Sequence, residues 1–176
     1  MIAHTPGATE CDIMATATQP VDTKKAERRK LHFNSLAELK AEIDRLASGE
    51  VRTTGNWTLA QAIDHLAAIF EGSLDGIPAK APWFVRMLAP TFRNRALHKG
   101  IDPGIKLSGD MKRILPPEDV TLENATARMN RIFQRLDKGE KMLQPSPVFG
   151  KMTHEDWSNL HMRHAELHLS FMHPIG

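Results

Sequence analysis

The sequence predicts an all-α fold, a four-helix bundle with one long crossover between the second and third core helices. Three observations lead there. Four stretches repeat apolar residues every three or four positions, the spacing of one helix face. Each opens on a Ser or Thr placed to cap a helix. No stretch alternates apolar and polar residues in the way a half-buried strand does.

The elements follow in chain order. Residues 1–30 read as a disordered lead-in with a basic end, Lys24 to Lys30, and Met14 is an alternative start. A single domain is expected over 31–176, with order beginning near Phe33. Ser35-Leu36-Ala37-Glu38 is a capping box, and Leu36, Leu39, Ile43 and Leu46 form a stripe that ends at Gly49, which predicts a helix over 35–48. Thr58-Leu59-Ala60-Gln61 is a second box. It opens a helix over 58–71 that turns Leu59, Ala62, Ile63, Leu66, Ile69 and Phe70 inward and closes at Gly72 to Gly76. His65 sits at the edge of that stripe.

Residues 77–120 are the least regular. Pro82 suits the start of a short helix through Trp83, Phe84, Met87, Leu88 and Phe92. Gly100, Pro103, Gly104, Gly109 and Pro116-Pro117 then punctuate the crossover, whose length suggests a lid or wall over a site. Thr121 caps a third core helix over 121–138, carrying Leu122, Ala125, Met129, Ile132, Phe133 and Leu136 and stopped by Gly139. Thr153-His154-Glu155-Asp156 caps the last, over 153–172, before Pro174.

Composition narrows the function. Hydrophobic content of 41% and charged content of 25% are those of a soluble globular chain. No apolar run approaches the roughly 20 residues that span a bilayer, and the polar N-terminus has no apolar h-region. The single cysteine, Cys11, excludes an intramolecular disulfide and a cysteine-ligated metal, so a cytoplasmic location is expected. The net charge of +2 is too small to suggest nucleic acid, and there is no tyrosine to stack on bases. Charge is uneven: residues 80–113 hold eight Lys/Arg against two acidic residues, and 34–79 hold three against seven. The basic stretch reads first as a solvated loop and second as an attractor of anionic small molecules. The expected partner is therefore a small molecule, with neither nucleic acid nor membrane, and a homodimer is compatible with the chain.

The chemistry concentrates in the final helix. Side chains three and four apart lie over one another, so His161, His164 and His168 share a stripe with Trp157, Leu160, Leu167 and Phe171. That stripe should face the core, where an unpartnered imidazole is costly. A metal ion removes the cost, since neutral imidazole is a common ligand and i, i+4 pairs converge. His65, His164 and His168 would supply three ligands and leave positions open. His161 would be a fourth ligand, an outer hydrogen-bond partner or a proton shuttle. The bland alternative is a set of core histidines bonded to backbone carbonyls. Asp64 reads as a solvated acid, Glu166 as a surface partner of Arg163, and His154 as solvent-facing. Trp57 and Trp157 read as core residues first and pocket walls second. No nucleophile elbow, phosphate loop, dinucleotide fingerprint or H-E-x-x-H is present.

Two blocks carry a family resemblance. Gly55-Asn56-Trp57-Thr58-Leu59-Ala60-Gln61 leads into Asp64-His65-Leu66, and Ser146-Pro147-Val148-Phe149-Gly150 leads through Glu155-Asp156-Trp157 to the three late histidines. Over roughly residues 31–172 the chain resembles the DinB/YfiT-like superfamily of metal-dependent four-helix bundles, and within it a branch of unassigned function. The resemblance implies that His65, His164 and His168 hold a divalent transition metal, zinc or nickel, with His161 beside them. Relatives of that superfamily include S-transferases that use low-molecular-weight thiols and a maleylpyruvate isomerase. The first expectation is therefore a thiol-dependent S-transferase. A non-catalytic binder with a structural metal and a metal-assisted hydrolase are the alternatives.

Overall fold

The computed structural model describes residues 20–105, 107 and 109–175. Cys11, Met14 and most of the expected lead-in lie outside the described residues. The described chain is mostly helical: α1 (Leu36–Ala47), β1 (Glu50–Thr53), α2 (Leu59–Asp75), α3 (Trp83–His98), a 3-10 turn (Gly109–Ile114), α4 (Leu122–Asp137), α5 (His154–Leu169) and β2 (Met172–Ile175).

The caps act where the sequence places them. Thr58 Oγ1 accepts from Gln61 N while Gln61 Oε1 accepts from Thr58 N, a closed capping box. Thr153 and Asp156 repeat the arrangement on α5, and Thr121 accepts from Asn124 N on α4. The first box differs: Ser35 accepts from Glu38 N, but Glu38 reaches back to Asn34 N instead. α2 runs one turn beyond the expected end. Gly72 is inside it, where an added Cβ would lie 2.1 Å from Cγ1 of Ile77, and Gly76, at φ +99°, ends it.

Helix α2 is buried on most sides, packing chiefly on α4 and also on α5 and α1, while α3 packs on α5. Leu39, Leu46, Ala62, Ile63, Leu66, Phe70, Ala125, Trp157 and Leu169 form the centre of one continuous core. Burying each of the larger side chains contributes about 1.5–3 kcal/mol before ordering entropy is counted.

Four expectations need correction. A two-stranded antiparallel ribbon exists, with Glu50 opposite Ile175 and Thr53 opposite Met172. Its strands are four residues long and mostly exposed, so they carry no period-two signal. In consequence α5 stops at Leu169 and not at Met172. α3 continues to His98, through Pro90. Finally, fixed contacts begin well before Phe33: Val21 and Asn56 exchange two hydrogen bonds, Arg29 N donates to Ser170 O at 2.8 Å, and Arg29 pairs with Glu42 at 2.5 Å.

Candidate metal centre

Three helical turns on two helices bring three imidazoles together. His65 projects from the middle of α2 and His164 and His168 from successive turns of α5, at the i, i+4 spacing that places them on one face. Nε2 of His164 lies 3.4 Å from Nε2 of His65 and 2.9 Å from Nε2 of His168. One nitrogen from each ring lies within 4.8 Å of the other two. His65 is buried, and the other two are partly open to solvent.

The tautomer of His65 follows from its other nitrogen. Nδ1 is 2.7 Å from the carbonyl oxygen of Ile114, which can only accept, so Nδ1 carries the hydrogen. Its Nε2 is then a lone pair aimed at the other two rings. Three imidazole nitrogens at such distances repel unless a proton or a cation sits among them. Burial lowers the pKa of His65, pushes His168 down to about 3, and holds His164 well below the ordinary value, with neighbouring imidazoles adding to the effect at His164 and His168. All three are therefore neutral near pH 7, the form that binds a metal. The donor set, its protonation and its convergence fit a divalent transition ion with open coordination positions.

Trp57 walls the cluster. Its ring stacks on His168 at 4.9 Å and lies 4.8 Å from His65. The turn that delivers it depends on Gly55, where a Cβ would meet the Phe171 ring at 3.1 Å, and on Thr54 N donating to Phe171 O. Trp57 is therefore half-buried against the histidine cluster. Trp157 is a core residue, 1% exposed, with Nε1 donating to Gln144 O.

His161 lies apart from the cluster. It is fully buried, stacked on Phe70 at 3.6 Å and on Trp157 at 5.3 Å. The Ser73 hydroxyl gives its hydrogen to Phe70 O, so His161 Nε2 donates to Ser73 Oγ, at 3.0 Å. Nδ1 keeps a lone pair with no partner among the described residues, and burial pushes the pKa down to about 3. The residue is a packing and tethering group, one turn from His164.

Other readings change with the structure. Asp64 is not a solvated acid: it is buried and pairs with Arg128 of α4 at 2.8 Å, the same guanidinium that pairs with Glu71 at 2.5 Å. Glu166 does pair with Arg163, at 3.0 Å, but Arg163 is buried and the pair anchors the chain before α1, with Phe33 N donating to Glu166 and Arg163 donating to Phe33 O. His154 is half-buried and accepts from Met142 N at 3.1 Å. The crossover contributes a group that sequence reading missed, the Ile114 carbonyl, because a backbone acceptor leaves no residue signature. Ile114 also lines a cavity of about 260 Å³ with Glu71, Arg113 and Arg128.

A family model described as a protein of unknown function, DUF1569, matches residues 25–175. The chain belongs to that family. No curated protein and no solved structure matches it.

Proposed function

We propose that this member of the DUF1569 family is a metal-dependent enzyme of the DinB/YfiT-like kind, built as a four-helix bundle from α1, α2, α4 and α5, with His65, His164 and His168 as its metal ligands. The observation that carries the reading is the convergence of three neutral imidazole nitrogens within 4.8 Å, one of them oriented by the Ile114 carbonyl. Zinc or nickel suits three nitrogen donors. When bound, such an ion lowers the pKa of a coordinated thiol and presents a thiolate at neutral pH. That chemistry favours a thiol-dependent S-transferase, drawing on a low-molecular-weight thiol and a small, anionic substrate in the cytoplasm.

The chain's own residues define the rest of the site. Trp57 stacks on His168 and shields it from water on one side. The Asp64–Arg128–Glu71 network ties α2 to α4 at the level of His65, so the His65 backbone has little freedom to shift. The partial exposure of His164 and His168 leaves a side from which a small molecule can approach. A non-catalytic binder whose metal only braces the helices, and a metal-assisted hydrolase, are separated from the transferase by one experiment. Cobalt-substituted protein is titrated with a small thiol, with Cys11→Ser introduced first to remove the chain's only thiol. A near-ultraviolet sulfur-to-metal band that titrates below the thiol's ordinary pKa of roughly 8.5 supports the transferase. No band with exchangeable water at the ion favours hydrolysis, and no access by either makes the metal structural.

A further inference from the structure

The first half of α3 carries an apolar surface that the histidine cluster does not use. Its inward side, Ala89, Ala96 and Leu97, is buried, and α3 packs on α5. Its outward side carries Trp83, Phe84, Met87 and Leu88, which are 74%, 50%, 64% and 51% exposed. Positions i, i+1, i+4 and i+5 of a helix lie on one side, so these four form one contiguous apolar face. A contiguous exposed apolar face of this kind marks an interaction site, not incidental exposure. Farther along, the outward positions become polar and basic, with Asn94, Arg95 and His98.

Charge identifies what covers the face. Residues 76–101 contain five Lys/Arg and neither Asp nor Glu. Two of the five are neutralised, Arg93 by Asp156 and Arg95 by Asp102. Lys80, Arg86 and Lys99 are exposed and make no ion pair among the described residues. Two copies meeting through this face about a two-fold axis would bring these cations towards their own equivalents. An anionic bilayer satisfies both features, because aromatic and aliphatic side chains enter the headgroup boundary while long basic side chains reach the lipid phosphates.

We propose that α3 docks the protein in-plane on anionic phospholipid membranes, with Trp83, Phe84, Met87 and Leu88 inserted and Lys80 and Arg86 at the headgroups. This is peripheral attachment: no helix among the described residues is long and apolar enough to cross a membrane. It revises the expectation of no membrane partner, which rested on the lack of a spanning segment. It is independent of the metal reading, since none of these residues touches the histidine cluster.

The test is co-sedimentation of the full chain with vesicles of phosphatidylcholine alone and with 30–40% phosphatidylglycerol, these proportions being about what makes a surface strongly anionic, alongside light scattering of the protein without lipid. Expected are binding to the anionic vesicles, weakening of about tenfold or more on Trp83→Ser with Phe84→Ser, and a comparable loss on Lys80→Glu with Arg86→Glu or at high salt. All four side chains are solvent-exposed, so the variants should keep the wild-type melting temperature and helicity, which is checked. Absence of binding to anionic vesicles overturns the proposal. So does a lipid-free dimer that the Trp83/Phe84 variant splits, which would assign the face to a second copy. Equal binding by wild type and both variants would overturn it too, by placing the membrane contact elsewhere.

Discussion

Two halves of α5 use histidine in opposite ways. His161 lies on the same stripe as His164 and one turn before it, yet it is stacked between Phe70 and Trp157 and tethered to Ser73. His164 and His168 meet His65 and Trp57 instead. The residue type is the same in both halves, and spacings of three and then four residues keep all three histidines on one stripe. What differs is the facing surface: a flat aromatic and a hydroxyl in one case, another imidazole in the other. A shared stripe thus says that side chains face inward, while the partner helix decides whether they are packed against apolar rings or gathered into a cluster of imidazoles.

The comparison breaks most sharply on metal content. Wild type purified with divalent metal should hold about one ion per chain, and His164→Ala or His168→Ala should hold essentially none, while His161→Ala keeps most of it. Elemental analysis after dialysis reads this directly, and equal content in wild type and His168→Ala sinks the site.

Stability should show the reverse order. His161→Ala opens a cavity against Phe70 and Trp157 and should cost roughly 2–4 kcal/mol in denaturant unfolding of the metal-free protein. His168→Ala, at a partly exposed position, should cost about 1 kcal/mol or less under the same conditions. A larger loss at His168 than at His161 would reverse the assignment of the two halves.

Acid gives a third reading. The folded-state pKa values of His161 and His168 are depressed to about 3, against about 6.5 for an unfolded histidine. The unfolded chain therefore binds more protons between those values, so the stabilisation is complete above about pH 6.5 and falls as pH drops towards 3. The slope is at most about 1.4 kcal/mol per pH unit for each such imidazole. His161→Phe should flatten the metal-free profile by that amount, and an unchanged slope would mean that this imidazole is not held neutral by burial.

The smallest effect sharpens the site's outer wall. Trp57→Leu removes the ring stacked on His168 but no ligand atom, so metal should stay bound with affinity reduced by about tenfold, within the range for outer-shell changes. Competition with a chelator measures it.

Much of this was legible in the sequence, for reasons that differ by element. α1, α2, α4 and α5 are long and periodic, and Ser35, Thr58, Thr121 and Thr153 cap them with their own side chains. The encounter of His65 with His164 and His168 was anticipated from two apolar stripes that had to face each other and from the family resemblance. The Asp64–Arg128 pair was not, because adjacency to His65 in sequence says nothing about which α4 residue lies opposite. The ribbon escaped because its two strands are short, exposed and distant in sequence, leaving pairing as their only cause. The outward face of α3 was read as helical, but periodicity cannot show which apolar residues stay uncovered.

That ribbon has a kinetic consequence. Glu50 pairs with Ile175, and this contact closes residues 50–175, most of the described chain, into one loop. Loop closure of that span is entropically slow and is favourable only once both ends are held near one another. α1, which leads into β1, and α5, which leads into β2, are brought together by their own packing and by the Arg29 contacts to Glu42 and Leu169. The ribbon should therefore zip late in folding. Because β2 follows directly on the helix that carries His164 and His168, its late arrival would make the end of α5 the last part of the histidine cluster to settle and the first to loosen.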